Sequence, residues 1–460
     1  MELALFVDFG STYTKVTVVD LEREEIRATG AAGTTVESCI TVGLEKALGQ
    51  VYTDIGSKPE FVYKAACSSA AGGLKIVAVG LVKNLTAEAA KRAALGAGSK
   101  VLEVFSHQLT REDIYEIEKL SPDIILLAGG TDGGNREVLI YNAGMLSQLT
   151  VRIPIVIAGN RVAAPEAQAI LSKNNFETEV VENVMPQLNQ LNVEPTRAKI
   201  REIFFQKLTI AKGLKEAEGL VGGVIMPTPA AVLKAVEVLA QGSSDETGWG
   251  DLMALDLGGA TTDVYSIGKG EPSKPGIVLK GLEEPLSKRT VEGDLGMRYS
   301  AQSILSATAN NLPSSLEEEL SAYTSHISLE TTYLPQTERE KVLEKELAKI
   351  ASSIAVERHV GRLEVSYTPF GATYFQYGKD LTHVTHLIGT GGILVNYKAP
   401  MEILQSVLFN SENSTVLKPQ KPQLWLDQSY ILAGMGLLAE IDSRKALRIM
   451  KKYLIKLGGH

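Results

Sequence analysis

The sequence has 460 residues, of which 44% are hydrophobic and 22% charged, and its formal net charge at pH 7 is −8. This length and composition indicate a globular protein of about two to four domains. The acidic balance argues against nucleic-acid binding, the lack of a long apolar run argues against a membrane span, and two cysteines exclude a disulfide framework or a thiolate zinc site. We therefore expect a cytoplasmic protein without nucleic-acid or membrane partners, with homo-oligomerisation left open.

Apolar, β-rich runs alternate with segments of helical period, which indicates an α/β fold. In the first half, the pattern predicts strands at 3–8, 15–20, 61–68, 74–81, 124–128 and 154–158, and helices at 87–97, 111–120, 165–173 and 229–240. In the second half, it predicts strands at 251–256, 262–267 and 385–388, and helices at 315–323, 337–358 and 434–457. A polar, glycine-rich connection at 241–250 divides the chain into a first lobe, 1–240, and a second lobe, 241–460, with a helical insert at about 310–360.

One short pattern occurs near the start of each half. D-x-G-x-x-x-T overlaps the end of an apolar strand at residues 8–14 and again at residues 256–262. A second pair of segments, 123–137 and 384–396, also joins an apolar strand to a glycine-rich turn. Strand, glycine-rich loop and helix thus recur in the same order, which suggests duplication of one α/β unit. A duplicated unit predicts a cleft between two facing lobes.

The repeated loops are suited to phosphate, because backbone N–H groups reach phosphate oxygens where no Cβ intervenes. Two such loops facing each other would hold the phosphates of a nucleotide from both sides. For either loop alone, a tight turn whose glycines serve only backbone geometry is the alternative. The standard mononucleotide and dinucleotide fingerprints are absent from the sequence. The candidate contacts are Gly10, Ser11, Thr12 and Thr14 in the first loop and Gly258, Gly259, Thr261 and Thr262 in the second.

Charged residues beside these loops are the candidate catalytic groups. Asp8 and Asp256, near the ends of the two strands, are predicted to hold Mg²⁺ through its waters. Lys15 is predicted to reach a phosphate as a point charge. Asp263 is a candidate to orient an attacking water or to support the ligands of the metal.

Two further loops are weaker candidates for ligand contacts. The loop "GGTDGGN" follows a predicted strand, and α/β sheets bind ligands at the carboxyl ends of their strands. A long turn that lets the chain reverse explains this loop equally well. In "RTVEGDLGM", Gly293 and Asp294 precede a helix-like run, and Asp294 is explained as a helix N-cap. The candidates in the first of these loops are Gly129, Gly130, Thr131 and Asp132.

The glycine-rich segments carry a resemblance to a known superfamily. "FVDFGSTYTKV" resembles the first phosphate hairpin of the actin, seventy-kilodalton heat-shock chaperone and sugar-kinase superfamily, "DLGGATTDV" its second, and "HLIGTGGIL" its adenosine motif. The resemblance implies a duplicated actin-like, ribonuclease H-like ATPase fold that binds ATP and Mg²⁺ between two lobes. It also implies that adenine stacks over Gly389, Gly391 and Gly392. By the same analogy the loop "RTVEGDLGM" closes on a phosphate, which makes Glu292 and Gly293 secondary candidates.

More specifically, "LLAGGTDGGNRE" and "RTVEGDLGMRYSA" are similar to the MutL (GlmL) family of accessory proteins encoded beside adenosylcobalamin-dependent glutamate mutase and related aminomutases. This family is distinct from the mismatch-repair ATPase of the same name. The resemblance implies an ATP-dependent reactivating factor that lets a mutase client release damaged cobalamin and accept intact cofactor. A small-molecule kinase of the same fold and a polymerising filament are the alternatives. The activator ATPase of radical dehydratases is set aside, because its motif cysteines are missing.

Overall fold

The structure, a computed structural model, describes residues 2–10, 12–34, 40–69, 74–208, 220–308, 313–368 and 371–458. Ser11, predicted to contact phosphate, lies outside the described residues. Within the described ranges, every helix is too short or too polar to cross a bilayer.

Strands supply most of the framework of the molecule. In chain order they are β1 (Leu3–Phe9), β2 (Tyr13–Asp20), β3 (Glu25–Gly33), β4 (Tyr63–Ser68), β5 (Lys75–Gly80), β6 (Lys100–Ser106), β7 (Ile124–Leu127), β8 (Ile155–Ile157), β9 (Thr178–Val180), β10 (Val224–Pro227), β11 (Leu252–Leu257), β12 (Thr262–Ile267), β13 (Ile277–Lys280), β14 (Ser287–Glu292), β15 (Arg362–Thr368), β16 (Gly371–Tyr377), β17 (His386–Thr390), β18 (Gln423–Leu426) and β19 (Ile455–Leu457).

Helices pack on both faces of the main sheets. They are Ile40–Ile55, Glu88–Gly96, Arg111–Leu120, Glu137–Leu146, Ala164–Lys173, Glu194–Leu208, Thr228–Gln241, Ala301–Ser306, Ser314–Leu329, Glu338–His359, Gly392–Asn396, Pro400–Gln405, Leu432–Ala439 and Ser443–Tyr453, with a π-helical turn at Lys83–Ala87 and a 3₁₀ turn at Ser411–Asn413.

Two sheets share one strand order. The sheet of the first lobe runs β3-β2-β1-β4-β10, and that of the second lobe runs β14-β12-β11-β17-β18, with β19 at its outer edge. In both sheets, in the order just given, the first three strands are each antiparallel to their neighbours among the three. The fourth and fifth strands run parallel to the third. The same order occurs twice, which confirms the predicted duplicated actin-like α/β fold.

A third sheet interrupts the first lobe between β4 and β10. Its order is β6-β5-β7-β8-β9, and every neighbouring pair is parallel. The strands β7 and β8 are buried along their whole length, as expected for a parallel sheet covered on both faces. We call residues 75–180 the inserted domain.

The inserted domain corrects one part of the predicted repeat. The strand β7 was matched with β17, because both precede glycine-rich turns. By position in its sheet, however, the counterpart of β17 is β4, since β4 pairs with β1 as β17 pairs with β11. Residues 70–73 of the loop after β4 lie outside the described part of the chain.

The predicted single helix at 434–457 is also wrong. The chain forms two helices there, followed by β19. The side chain of Asp442 accepts hydrogen bonds from Arg444 N and Lys445 N at 3.1 and 3.0 Å, so it caps the start of the second helix. The apolar period continues through this break, which is why periodicity alone merged the two helices.

The two lobes meet where helix Thr228–Gln241 crosses helix Leu432–Ala439. Each helix follows the fifth strand of its own sheet, and the buried side chains of both belong to one apolar cluster. At the crossing the backbones touch: a Cβ on Gly436 would lie 1.8 Å from the carbonyl oxygen of Ala231. Only glycine permits this approach, so the crossing fixes how the lobes face each other.

We expect Gly436→Ala to lower the free energy of unfolding by at least about 1–3 kcal/mol, because the added methyl group has no space against the Ala231 carbonyl. The matched control is Gly434→Ala in the same helix, whose Cβ would lie 3.4 Å from Phe6 Cβ, an ordinary contact. Urea unfolding of both variants makes the measurement. Equal stability of the two would contradict the assigned crossing.

Candidate nucleotide site between the lobes

The two hairpins that carry the repeated pattern form the same turn. Gly10 N donates to Tyr13 O at 3.1 Å, and Gly258 N donates to Thr261 O at 3.0 Å. A Cβ would lie 2.6 Å from that carbonyl oxygen at Gly10 and 2.8 Å from it at Gly258. Both positions therefore require glycine for the turn itself, and the turns leave their tips free of bulky side chains.

The tips of the two hairpins face each other. A Cβ on Gly259 would lie 3.3 Å from Thr12 Oγ1, so the loop of one lobe reaches that of the other. Both residues are half-buried, as expected for groups that border a narrow gap. The facing arrangement inferred from the sequence is present in the structure.

The threonines that end the pattern support the hairpins instead of lining the gap. Thr14 is fully buried, and its Oγ1 lies 3.1 Å from Thr34 Oγ1. Thr262 is also fully buried and donates to Leu295 O at 2.7 Å. The prediction that Thr14 and Thr262 contact the ligand therefore conflicts with their positions.

Two carboxylates lie beside the hairpins. Asp8 Oδ1 accepts a hydrogen bond from Thr228 Oγ1 at 2.5 Å and lies 3.6 Å from the buried thiol of Cys67. The side chain of Asp256 accepts no hydrogen bond from the described residues. Burial, helped by the negative charges of Asp263 and Asp8, raises the pKa of Asp256 to about 7. Thr228 was not predicted from the sequence, where its only signal is its place at the start of a helix after β10.

Lys15 extends from the first lobe to the second. Its Nζ lies 4.1 Å from the centre of the Tyr430 ring, a cation–π contact. Burial raises the pKa of both Asp256 and Asp427, and the positive charge of Lys15 opposes that rise. Lys15 therefore lies near Asp256 and Asp427, two carboxylates of the second lobe.

Asp427 was not identified from the sequence. It is buried, and its Oδ1 accepts from Ile431 N at 2.8 Å. Its Oδ2 accepts from Leu432 N at 3.2 Å and from Thr390 Oγ1 at 3.1 Å. Asp427 thereby holds the first turn of helix Leu432–Ala439 against the end of β17. An acidic residue just before an apolar helix was the available signal.

Asp263 is not available to act on a water molecule. It is buried, and its Oδ1 accepts from Arg289 Nε at 2.8 Å and lies 2.6 Å from Arg289 Nη2. Its Oδ2 accepts from Thr261 Oγ1 at 2.9 Å. Both oxygens are engaged, so the structure argues against the predicted role for Asp263 and gives it a role in holding Thr261.

The predicted adenosine motif lies beside the second hairpin. Gly391 has a φ of 102°, and a Cβ there would lie 2.4 Å from Leu257 O, so this glycine packs against β11. A Cβ on Gly389 would lie 3.0 Å from side-chain atoms of Leu394 and Leu404, so it faces the core. Neither glycine presents open space to a ligand.

Gly392 is different. A Cβ there would meet a single group within 4 Å, the Tyr430 hydroxyl at 3.8 Å. Asn396 Nδ2 donates to Gly392 O at 2.8 Å and to Tyr430 Oη at 3.3 Å. Gly392, Asn396 and Tyr430 thus form a half-open polar corner. Because Tyr430 also covers Lys15, this corner lies next to the charged groups.

A further loop packs on the second hairpin. Gly258 O accepts from Met297 N at 3.0 Å, and Gly259 O accepts from Arg298 N at 2.8 Å. A Cβ on Gly296 would lie 2.3 Å from the carbonyl oxygen of Ala260. Gly296 is therefore the glycine of this loop that touches the hairpin.

Gly293, the residue chosen from the sequence, lies elsewhere. A Cβ on Gly293 would lie 2.5 Å from Lys100 Nζ, at the start of β6 in the inserted domain. The loop named from the sequence does pack on the second hairpin, but through Gly296 and not through Gly293. The spacing of two glycines in one loop does not show which one makes the close contact.

The "GGTDGGN" loop lies in the inserted domain and is held by its own neighbours. Asn183 Nδ2 donates to Gly130 O and to Asp132 Oδ1, each at 3.0 Å. The loop follows the carboxyl end of β7. Lys100, which approaches the second lobe, is at the amino end of β6, and β6 and β7 run in the same direction. The loop and the second lobe are thus at opposite ends of the strands of this sheet. This placement argues against the predicted contacts of Gly129, Gly130, Thr131 and Asp132 with the nucleotide of the hairpins.

Comparison with known proteins places the chain in a family. The sequence model of the family described as "MutL protein" matches residues 4–454. The chain is 53% identical to "Protein MutL" of Clostridium tetanomorphum over 465 residues, which is 99% of this chain and 100% of that protein. The chain belongs to the MutL protein family. The resemblance found in the sequence is confirmed.

Solved structures with likeness to this chain include a nucleotide-free acetone carboxylase, with 13% identity, a TM-score of 0.41 and coverage of 95% of this chain and 70% of that chain. Another is a nucleotide-free diol dehydratase-reactivating factor, with 10% identity, a TM-score of 0.36 and coverage of 96% and 99% of the two chains.

Arg298, whose backbone N–H donates to Gly259 O of the second hairpin, also forms a buried ion pair. Arg298 Nη2 lies 2.6 Å from Glu344 Oε1, with 7% and 4% of the two side chains exposed. We expect Glu344→Gln to lower the free energy of unfolding by about 3–5 kcal/mol, because it leaves a buried cation unpaired.

The double variant Arg298→Met with Glu344→Leu should be less destabilised than Glu344→Gln, because it removes both charges together. Chemical unfolding of the two variants provides the comparison. If the double variant loses more stability than Glu344→Gln, the ion pair is not the source of the effect.

Proposed function

We propose that the protein binds ATP between its two lobes and hydrolyses it. The supporting observation is the pair of identical glycine turns that face each other, with two carboxylates and a lysine beside them. Facing backbone N–H groups suit the oxygens of a phosphate chain. The family and the duplicated fold agree with this proposal.

The side chains fit a hydrated Mg²⁺ ion. Among the described residues there is no cluster of three or more side chains that would enclose a metal ion. Asp8 and Asp256 nonetheless supply two carboxylates, and Mg²⁺ is commonly bound by one or two carboxylates together with waters and substrate phosphates. When bound, the ion would neutralise charge on the phosphates. Asp8 and Asp256 would hold it, and Thr228 would fix the rotamer of Asp8.

The adenine would lie in the corner formed by Gly392, Asn396 and Tyr430. Gly392 offers space, and Asn396 offers the oxygen of its side-chain amide, because its Nδ2 already donates to Gly392 O and to Tyr430 Oη. Lys15 Nζ lies over the ring of Tyr430, whereas the corner is at its hydroxyl group, so the base would lie at the hydroxyl end of this side chain and the phosphates near its ring. Lys15 would contact the phosphates as a point charge.

The proposed work of this ATPase is chaperone-like reactivation of an adenosylcobalamin-dependent mutase, such as glutamate mutase or an aminomutase. Membership of the MutL family supports this client. ATP binding and hydrolysis would change the angle between the lobes, and that change would act on the mutase subunits so that damaged cobalamin leaves.

We expect Asp256→Asn to abolish Mg²⁺-dependent ATP hydrolysis while leaving the fold intact, because the amide cannot hold the cation as a carboxylate does. The matched control is Asp132→Asn, the same change in the loop at the far edge of the inserted domain, which should keep the activity of the unaltered protein. Steady-state phosphate release measures both. Normal turnover by Asp256→Asn would refute the assigned role.

We expect Gly392→Val to weaken ATP binding at least tenfold, because the side chain would occupy the proposed adenine corner, while thermal stability stays close to that of the unaltered protein. Gly391→Ala should instead lower stability, since its Cβ meets the Leu257 backbone at a positive φ. Calorimetric titration with ATP, together with melting curves, separates these effects. Full ATP affinity in Gly392→Val would place adenine elsewhere.

The client proposal is tested with a mutase inactivated by hydroxocobalamin. ATP hydrolysis is measured with and without this client, together with recovery of mutase activity when adenosylcobalamin is supplied. Client-stimulated hydrolysis with recovered activity supports reactivation. Tight ATP binding with no response to any such mutase would contradict it and would favour a small-molecule kinase.

A further inference from the structure

The inserted domain belongs to the first lobe by connectivity but also contacts the second lobe. Arg92 Nη1 donates to Glu283 O and Arg92 Nη2 donates to Glu284 Oε1, each at 2.8 Å. Lys100 approaches Gly293 just after β14. The contacts involve helix Glu88–Gly96 and the turn that follows it. We call residues 88–100 the contact helix and turn.

At the centre of this interface lies Arg289 of β14. Only 3% of its side chain is exposed. Its Nη1 donates to Leu95 O at 2.9 Å and to Ser99 O at 3.2 Å. These carbonyl groups lie at the C-terminal end of helix Glu88–Gly96, where the helix dipole favours a cation. One buried guanidinium thus attaches the inserted domain to the second lobe.

The same guanidinium also holds the second hairpin. Its Nε and Nη2 contact Asp263 Oδ1, and Asp263 Oδ2 in turn accepts from Thr261 Oγ1 at the tip of the hairpin. Asp263 is the cross-strand partner of Asp256. A continuous series of polar contacts therefore runs from the hairpin tip, through Asp263 and Arg289, to the contact helix and turn.

We propose that Arg289 couples the nucleotide state of the second hairpin to the position of the inserted domain. The proposal rests on the function proposed above. A guanidinium is planar and its N–H groups have fixed directions, so the positions of Asp263 and of the two carbonyl groups depend on each other. If phosphate contacts move Thr261 and Asp263, either the contact helix and turn follow or buried carbonyl groups lose their donor, which is unfavourable. Arg289 is thus a positioning residue between ATP and the inserted domain.

Amide hydrogen exchange of the full-length chain tests the coupling, with and without a non-hydrolysable ATP analogue. In the unaltered protein we expect the analogue to change exchange several-fold in residues 252–267 and also in residues 88–100. Arg289→Lys should keep the response of 252–267 and lose that of 88–100, because a single ammonium group cannot reproduce the fork of hydrogen bonds. Asp263→Asn should give the same result if Arg289→Lys does not fold.

Arg92→Lys is the matched control. It makes the same chemical change in the same interface, but Arg92 has no contact with Asp263 among the described hydrogen bonds and ion pairs, so the response of 88–100 should persist. If Arg289→Lys and Arg92→Lys lose the exchange response of residues 88–100 equally, Arg289 only attaches the inserted domain to the second lobe, which overturns the proposal. A hairpin response in the unaltered protein without any response in 88–100 also overturns it. If neither hairpin responds and calorimetry detects no ATP binding, the proposed nucleotide site fails, and the coupling fails with it.

Discussion

The contact between the Gly436 backbone and the Ala231 carbonyl is the constraint on which the rest of the molecule depends. It brings together the two helices that follow the fifth strands of the duplicated sheets. Because each sheet carries its hairpin at a fixed place relative to that helix, the crossing also determines that Thr12 faces Gly259. Because closely packed backbones resist sliding, we expect the gap to change its width by rotation near this crossing, within the limits set by the contacts of Arg92 and Arg289 between the inserted domain and the second lobe.

The two hairpins have the same geometry but different surroundings. The carboxylate of the first, Asp8, is supported by an uncharged hydroxyl group and a thiol. The second hairpin is held by two buried arginines, one bound to Asp263 and one to Glu344. Buried ion pairs of this kind add little to stability compared with apolar packing, but they fix relative positions strictly, since breaking one leaves an unpaired charge. Among the described residues, the second hairpin is therefore the one that buried ion pairs tie to the rest of the protein.

The sequence predicted the fold and the hairpins because both depend on local patterns. Glycine at positions 10 and 258 is required by a turn of a few residues, and a continuous apolar run marks each strand that precedes it. The role of Asp263 was not predictable, because its partner Arg289 comes from another strand. For the same reason Gly293 was chosen in place of Gly296: the atoms that each approaches lie far away in sequence. Asp427 and Tyr430 lack a repeated pattern, so only the folded chain shows that they lie beside Lys15.

The duplication is broken at one informative position. In the register of the hairpins, Lys15 pairs with Asp8, whereas the equivalent partner of Asp256 is Asp263. Two perfectly equivalent halves would accept a phosphate chain in either direction, since each half would look the same to it. At these equivalent positions the first hairpin carries the cation Lys15, and the second carries Asp263, whose charge is neutralised by Arg289. The two ends of the gap therefore differ in charge. An asymmetric ligand would then bind in one preferred orientation. The two lobes share one strand order but would make different contacts with that ligand.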